Sequence, residues 1–240
     1  MRNSNRRYVM FYWDPTYILV IIGLLISLGA SAMVNSAMRK YHQVRNSTGI
    51  TGAECARRIL DNEGLYQVQV EDLGSNGGDH FDPRSNVVRL SHENYSGRSI
   101  TAMGVAAHEC GHAIQHAQGY TPIRIRSALV PVVNIGSNAS MPLILLGVFL
   151  SWNQVLIQLG IIAFALTVVF QLATLPVEFN ASGRALERLE HYGIVTAQEN
   201  RGCRKVLSAA AMTYVAGTLA AVLQLLRLIL LFGGGRRRDD

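Results

Sequence analysis

Two stretches of the chain, residues 15–38 and 127–177, contain no charged side chain. A membrane-crossing helix needs about 20 apolar residues. The first stretch predicts one span over 16–38. The second is long enough for two, over 127–150 and 155–177, joined by a hairpin at Ser151, Trp152, Asn153 and Gln154. A fourth apolar run covers 206–231, with Arg227 near enough to its end to snorkel along its own stem. A basic tail over 1–15, polar segments over 39–126 and 178–205, and a basic tail over 232–240 complete the division. With four spans, the two polar segments fall on the same side of the membrane and can build one site.

Shorter periods organise the first polar segment. Thr51 and Glu54 form a capping box that opens a helix, and Gly64 is placed to end it. From Gln67 to Glu71 polar and apolar residues alternate, as in a half-buried strand. The Gly-, Asn- and Asp-rich residues 74–83 predict a loop. Val87, Val88 and Leu90 suggest a second strand. A helix then runs over 99–118, stopped by Gly119 with Pro122 beyond. The expected fold is a mostly α membrane protein, with about four transmembrane helices and a small α+β domain at the membrane surface.

Composition supports that reading: 49% of residues are hydrophobic and 16% charged, against about 25% charged in soluble domains. The net charge of +6 comes with Arg2, Arg6 and Arg7 at one end and Arg236, Arg237 and Arg238 at the other. Beside apolar spans such clusters orient the chain and meet lipid headgroups. No nucleic-acid module accompanies them, and no nucleic-acid partner is expected. Ala30, Ser31 and Ala32 could form a signal-cleavage site, but the uncharged stretch is longer than a signal core, which favours an uncleaved span. Three widely spaced cysteines, Cys55, Cys110 and Cys203, form no disulfide framework and read as small apolar residues.

The run His108-Glu109-Cys110-Gly111-His112 lies inside the helix at 99–118. Residues four apart share a helix face, so His108 and His112 can point at one metal ion. Neutral imidazoles suit Zn2+, which needs a third protein ligand while leaving a position open for catalysis. Glu109, about 100° around the helix, can serve as general base towards an attacking water. Gly111 is costly in mid-helix, by about 1 kcal/mol against Ala, and a small residue beside a metal site would explain it. Gln118 stands where a metzincin would place a third histidine. His116 shares the face of His112 one turn on, and reads as surface or as support for the ligands. Glu178, an acid at an expected helix start, is either the third ligand or a carboxylate favoured by the helix dipole. His80, in the run Asp79-His80-Phe81-Asp82-Pro83, is either an oxyanion donor or part of an Asx turn. His191 and Tyr192 are further oxyanion candidates.

The chain resembles the YugP-like family of bacterial membrane zinc metallopeptidases over nearly its whole length. Besides the histidine run, the resemblance rests on Phe11-Tyr12-Trp13-Asp14-Pro15, Thr51 to Glu54, Asp79 to Arg84, and Pro176 to Ser182. The family is distantly similar to the HtpX heat-shock protease and the CAAX prenyl protease. That relation implies a zincin-like, gluzincin-type peptidase with His108, His112 and Glu178 as ligands and Glu109 as base. Those relatives carry an Asp four residues after the ligand Glu. Here Ser182 stands in that place, a weaker acceptor for a ligand histidine.

The expected activity is a zinc endopeptidase that cuts membrane or membrane-proximal polypeptides, with substrate added as a strand along Val87 to Leu90. A catalytically silent zinc-binding adaptor or scaffold is the alternative, disfavoured because it has no use for Glu109. Intramembrane cleavage would require the zinc helix to be a span, and that helix is too polar. The spans lack the His and carboxylates of a zinc transporter. The resemblance implies a multi-pass protein of the bacterial inner membrane, and ten Lys and Arg near span ends on the site's side, against six opposite, predict that its site faces the cytoplasm.

Overall fold

The computed structural model of the chain describes residues 14–74 and 77–233. The Arg clusters of both tails and the residues Phe11, Tyr12 and Trp13 lie outside them. The element order is α1 (Tyr17–His42), α2 (Gly52–Asn62), β1 (Gln69–Asp72), β2 (His80–Asp82), β3 (Val87–Leu90), α3 (His92–Tyr95), α4 (Ile100–Ala117), α5 (Thr121–Phe149), α6 (Gln154–His191) and α7 (Ala197–Phe232). By length and composition, α1, α5, α6 and α7 can each cross a membrane. The protein is mostly helical, with four candidate spans and one small sheet among the described residues.

The chain divides into two compact units. One holds, of the described residues, 14–28, 130–171 and 216–233, most of them from the four long helices. Its helices approach closely at small residues, as helices in lipid do. A Cβ on Gly23 would come within 3.3 Å of Ala220 Cα, and one on Gly160 within 2.8 Å of the Ser140 carbonyl. Ser140 Oγ donates to the Gly160 carbonyl at 2.9 Å. Arg227 does more than snorkel: it pairs with Asp14 at 3.6 Å and lies 4.4 Å from the centre of the Tyr17 ring. The hairpin between α5 and α6 turns through positive φ at Ser151 and Trp152.

The second unit, residues 29–129 and 172–215, holds α2, the sheet, α3 and α4. Thr51 and Glu54 complete the capping box of α2. Ser99 Oγ accepts from the Ala102 amide to open α4, and Gly119, at φ +62°, closes it with the Tyr120 amide donating to Gln115. Side chains of α2 and α4, among them Ile59, Leu60, Met103 and Ile114, meet Val88 and Leu90 in one core. All three cysteines are buried and free.

Two expectations for this unit need correcting. Residues 74–83 are not wholly loop, because His80–Asp82 pairs antiparallel with β3, His80 opposite Arg89. The strand order is β1-β3-β2. β3 is therefore central, with both edges taken, and a peptide cannot add along Val87 to Leu90. Arg89 fastens the three strands, reaching Glu71 at 3.1 Å and Asp82 at 2.9 Å.

Candidate metal centre

The centre is built where α4 meets α6 within the second unit. Every residue of α4 except His108, His112, His116 and Ala117 is buried. The histidines form a single partly open stripe at four-residue spacing, as helix geometry requires. Gly111, one residue before His112, lies against α6. A Cβ there would stand 2.5 Å from the Ala181 carbonyl oxygen and 3.1 Å from its Cα. The missing side chain is thus a requirement of close helix approach.

That approach delivers Glu178 and Ser182 from α6. Glu178 Oε2 lies 3.3 Å from His108 Nε2 and 3.6 Å from His112 Nε2. One ligand atom from each of the three residues falls within 4.8 Å of the others. The two imidazoles stand edge to face with centroids 4.7 Å apart. Glu178 does not begin a helix, since α6 continues through Pro176 and past it to His191. It is an interior residue, 3% exposed, and the helix-dipole account of it fails.

The outer nitrogens are held as well. Ser182 Oγ lies 3.1 Å from His108 Nδ1, and Gln115 Oε1 lies 3.1 Å from His112 Nδ1. The Gln115 amide is fixed because its Nε2 donates to the Val177 carbonyl and to Asn180 Oδ1, at 2.8 and 2.9 Å. Arg184 Nε also donates to Asn180 Oδ1 at 2.7 Å. An imidazole whose Nδ1–H is donated outward keeps an unprotonated Nε2, the form that a metal takes. With both Nε2 atoms and a carboxylate converging, and with Glu109 buried alongside, the donor set fits a zinc ion. Burial pushes the His112 pKa down, but hydrogen bonding to Glu178 and the charges of Glu109 and Glu178 outweigh it and leave it raised.

Two cavities, of about 170 and about 200 Å³, share His108, Glu109 and Glu178 in their walls. The larger is also lined by His80, Phe81, His116 and Arg126. His80 is exposed on β2, with Nδ1 2.8 Å from the Gly78 carbonyl oxygen. His116 packs against Phe81, ring centroids 5.8 Å apart. The Asx chemistry expected nearby is present: Asp82 accepts from the Arg84 amide at 2.9 Å and from Ser85 Oγ at 2.7 Å, bonds that hold its carboxyl well below the usual range. His191 and Tyr192 line neither cavity. The Tyr192 hydroxyl instead donates to Glu63 at 2.6 Å, beside the ion pair of Glu63 with Arg188.

Three residues here escaped the sequence reading. Gln115 carries a faint signal, an uncharged polar side chain three residues after His112. Arg126 and Tyr214 carry none, because only the fold brings the start of α5 and the middle of α7 to the cavity. Arg126 Nε is buried with no hydrogen-bond partner among the described residues.

Residues 16–233 match the family model described as "Putative neutral zinc metallopeptidase". The chain is 49% identical over 218 residues to the "Putative membrane protease YugP" of Bacillus subtilis (strain 168), covering 91% of this chain and 96% of that protein. No solved structure matches it.

Proposed function

Because the chain belongs to the neutral zinc metallopeptidase family, we propose that it is a membrane-anchored endopeptidase of the gluzincin type, with His108, His112 and Glu178 as zinc ligands and Glu109 as general base. The observation that carries this reading is the convergence of two Nε2 atoms and one carboxylate within 4.8 Å, in walls that Glu109 shares. When bound, zinc supplies a Lewis acid that polarises the scissile carbonyl and acidifies water. Glu109 takes the proton of the attacking water and returns it to the leaving amine. Ser182 and Gln115 hold the ligand histidines in the required tautomer. Arg126, Tyr214 and His80, which line the larger cavity, stabilise the negative charge that develops on the carbonyl oxygen, in place of His191 and Tyr192, which line neither cavity. Substrate lies along the outer edge of β2, whose other edge is paired with β3 and whose His80 and Phe81 line the larger cavity.

The substrates are membrane or membrane-proximal polypeptides, since α1, α5, α6 and α7 hold the enzyme in the bilayer. The host is the bacterial inner membrane. The excess of Lys and Arg near span ends on its side supports a cytoplasmic position for the centre. Single cysteines at Gln69 and Asn153, in a cysteine-free background, test this with a thiol reagent that cannot cross membranes. Labelling in intact cells is expected at 153 alone, and labelling at 69 alone reverses the topology.

The function itself is tested on the purified full chain. It should hold about one zinc and cut an unfolded polypeptide in a chelator-sensitive way, and Glu178→Ala should lose both metal and activity. Full zinc in Glu178→Ala, measured by elemental analysis, would remove Glu178 from the ligand set. Zinc held by the parent without cleavage of any polypeptide would favour the scaffold, although a scaffold leaves Glu109 without a purpose.

A further inference from the structure

Away from the metal centre, α1 and α7 border two cavities within the second unit that the peptidase reading leaves unused. One, of about 600 Å³, has Tyr41, Arg45, Arg201 and Lys205 in its wall. The other, of about 550 Å³, is walled by Met33, Ala37, Ala209 and Met212, together with Lys40, Arg204 and Lys205. Tyr41 and Lys205 belong to both, so the two adjoin and are taken together as one recess.

Polarity within the recess is graded. From Met33 to Lys40 along α1 is about 10 Å, and from Met212 to Arg204 along α7 about 12 Å, at 1.5 Å per residue. Both helices place their apolar residues at one end and their cations at the other. The apolar end belongs to the uncharged run of α1, and the cations stand where that run stops. Arg45, Arg201, Arg204 and Lys205 are exposed and have no acidic partner among the described residues. Glu199, the acid in the wall, is already engaged: it accepts from the Ser47 amide and, at 2.7 Å, from the Thr196 amide. Tyr41 is seated on Gly202, where a Cβ would come within 3.0 Å of its ring, which fixes the floor between the two arms.

We propose that this recess is a binding site for an anionic phospholipid, with the phosphate between Arg45, Arg201 and Lys205 and an acyl chain in the groove between Met33 and Met212. Cation clusters at span ends attract anionic headgroups at about 1 kcal/mol per Lys or Arg. A soluble phosphate would satisfy the cations but leave the apolar arm uncovered. A zwitterionic lipid would fill the groove without matching the unpaired charge. The acyl arm and the charge together select a lipid that has both.

The test uses native mass spectrometry of the delipidated full-length protein titrated with phosphatidylglycerol or with phosphatidylcholine. The parent should bind phosphatidylglycerol more tightly by about tenfold or more. Replacing the three exposed cations together, Arg45→Gln, Arg201→Gln and Lys205→Gln, should abolish that preference. An equal loss of charge elsewhere, Arg58→Gln, Arg84→Gln and Arg124→Gln, should preserve it. Ala37→Trp, which fills the groove without changing charge, should weaken both lipids. Equal binding of the two lipids by the parent, or loss of the preference in both charge variants, would overturn the site. Displacement of the bound lipid by inorganic phosphate would reduce it to a soluble-anion site and equally overturn the proposal.

Discussion

Helices α1 and α4 are both largely apolar, yet their surroundings differ. Along α1 the only buried residue is Gly23, while α4 is buried everywhere except at three histidines and its last alanine. For α1 the apolar solvent is lipid, which accepts any side chain of similar hydrophobicity. For α4 it is protein packed to crystal density, which accepts only the shapes already there. One helix is specified by composition, the other by sequence. The candidate groups His108, Glu109 and His112 lie on the second kind, where neighbours hold each side chain in place.

The sharpest test of this contrast is Glu109→Gln, a nearly isosteric change within the packed helix. It should keep the metal and the fold while lowering peptide hydrolysis by about 10²–10⁴-fold, read as product formation alongside elemental analysis. Cleavage at the parent rate would take the role of base away from Glu109. Gly111→Ala ranks next. Its new methyl meets the Ala181 carbonyl, and overpacking of that kind costs about 1–3 kcal/mol. Thermal unfolding should fall and zinc affinity with it, because Glu178 and Ser182 flank the contact. Unchanged unfolding would mean that α4 and α6 have room to spare. The smallest effect belongs to α1. Leu25 is 62% exposed, and Leu25→Ala should shift stability in detergent by no more than about 0.5 kcal/mol. A loss above 1 kcal/mol, the scale of a buried contact, would show that another protein surface covers this face.

The same contrast explains what the sequence could disclose. Spans announce themselves because lipid demands only a long uncharged run, and 127–177 supplies one. No helix starts at Glu178 for the same reason: charge returns there, but hydrogen bonding does not break, and α6 carries its helix on to His191. His108, Glu109 and His112 were legible because their spacing lies within one helix turn. The strand at His80–Asp82 was hidden by residues that favour turns. Its pairing with β3 comes from tertiary context, and that pairing makes β2 rather than β3 an outer strand of the sheet. Arg126 and Tyr214 reach the cavity only through the packing of distant segments, which local pattern does not encode. Tyr192 shows the converse error, a suitable side chain whose hydroxyl is committed to Glu63.

One turn of α6 carries both Glu178 and Ser182, and between them they grip His108 by its two ring nitrogens. A helix moves as a body, about 100° and 1.5 Å for each residue of slip. A slip of a single residue therefore withdraws carboxylate and hydroxyl from the ring together. His108 cannot keep one partner and lose the other by any rigid motion of that helix. The centre behaves as a latch with one tongue, either thrown or drawn, and a half-assembled form has no place in its mechanics.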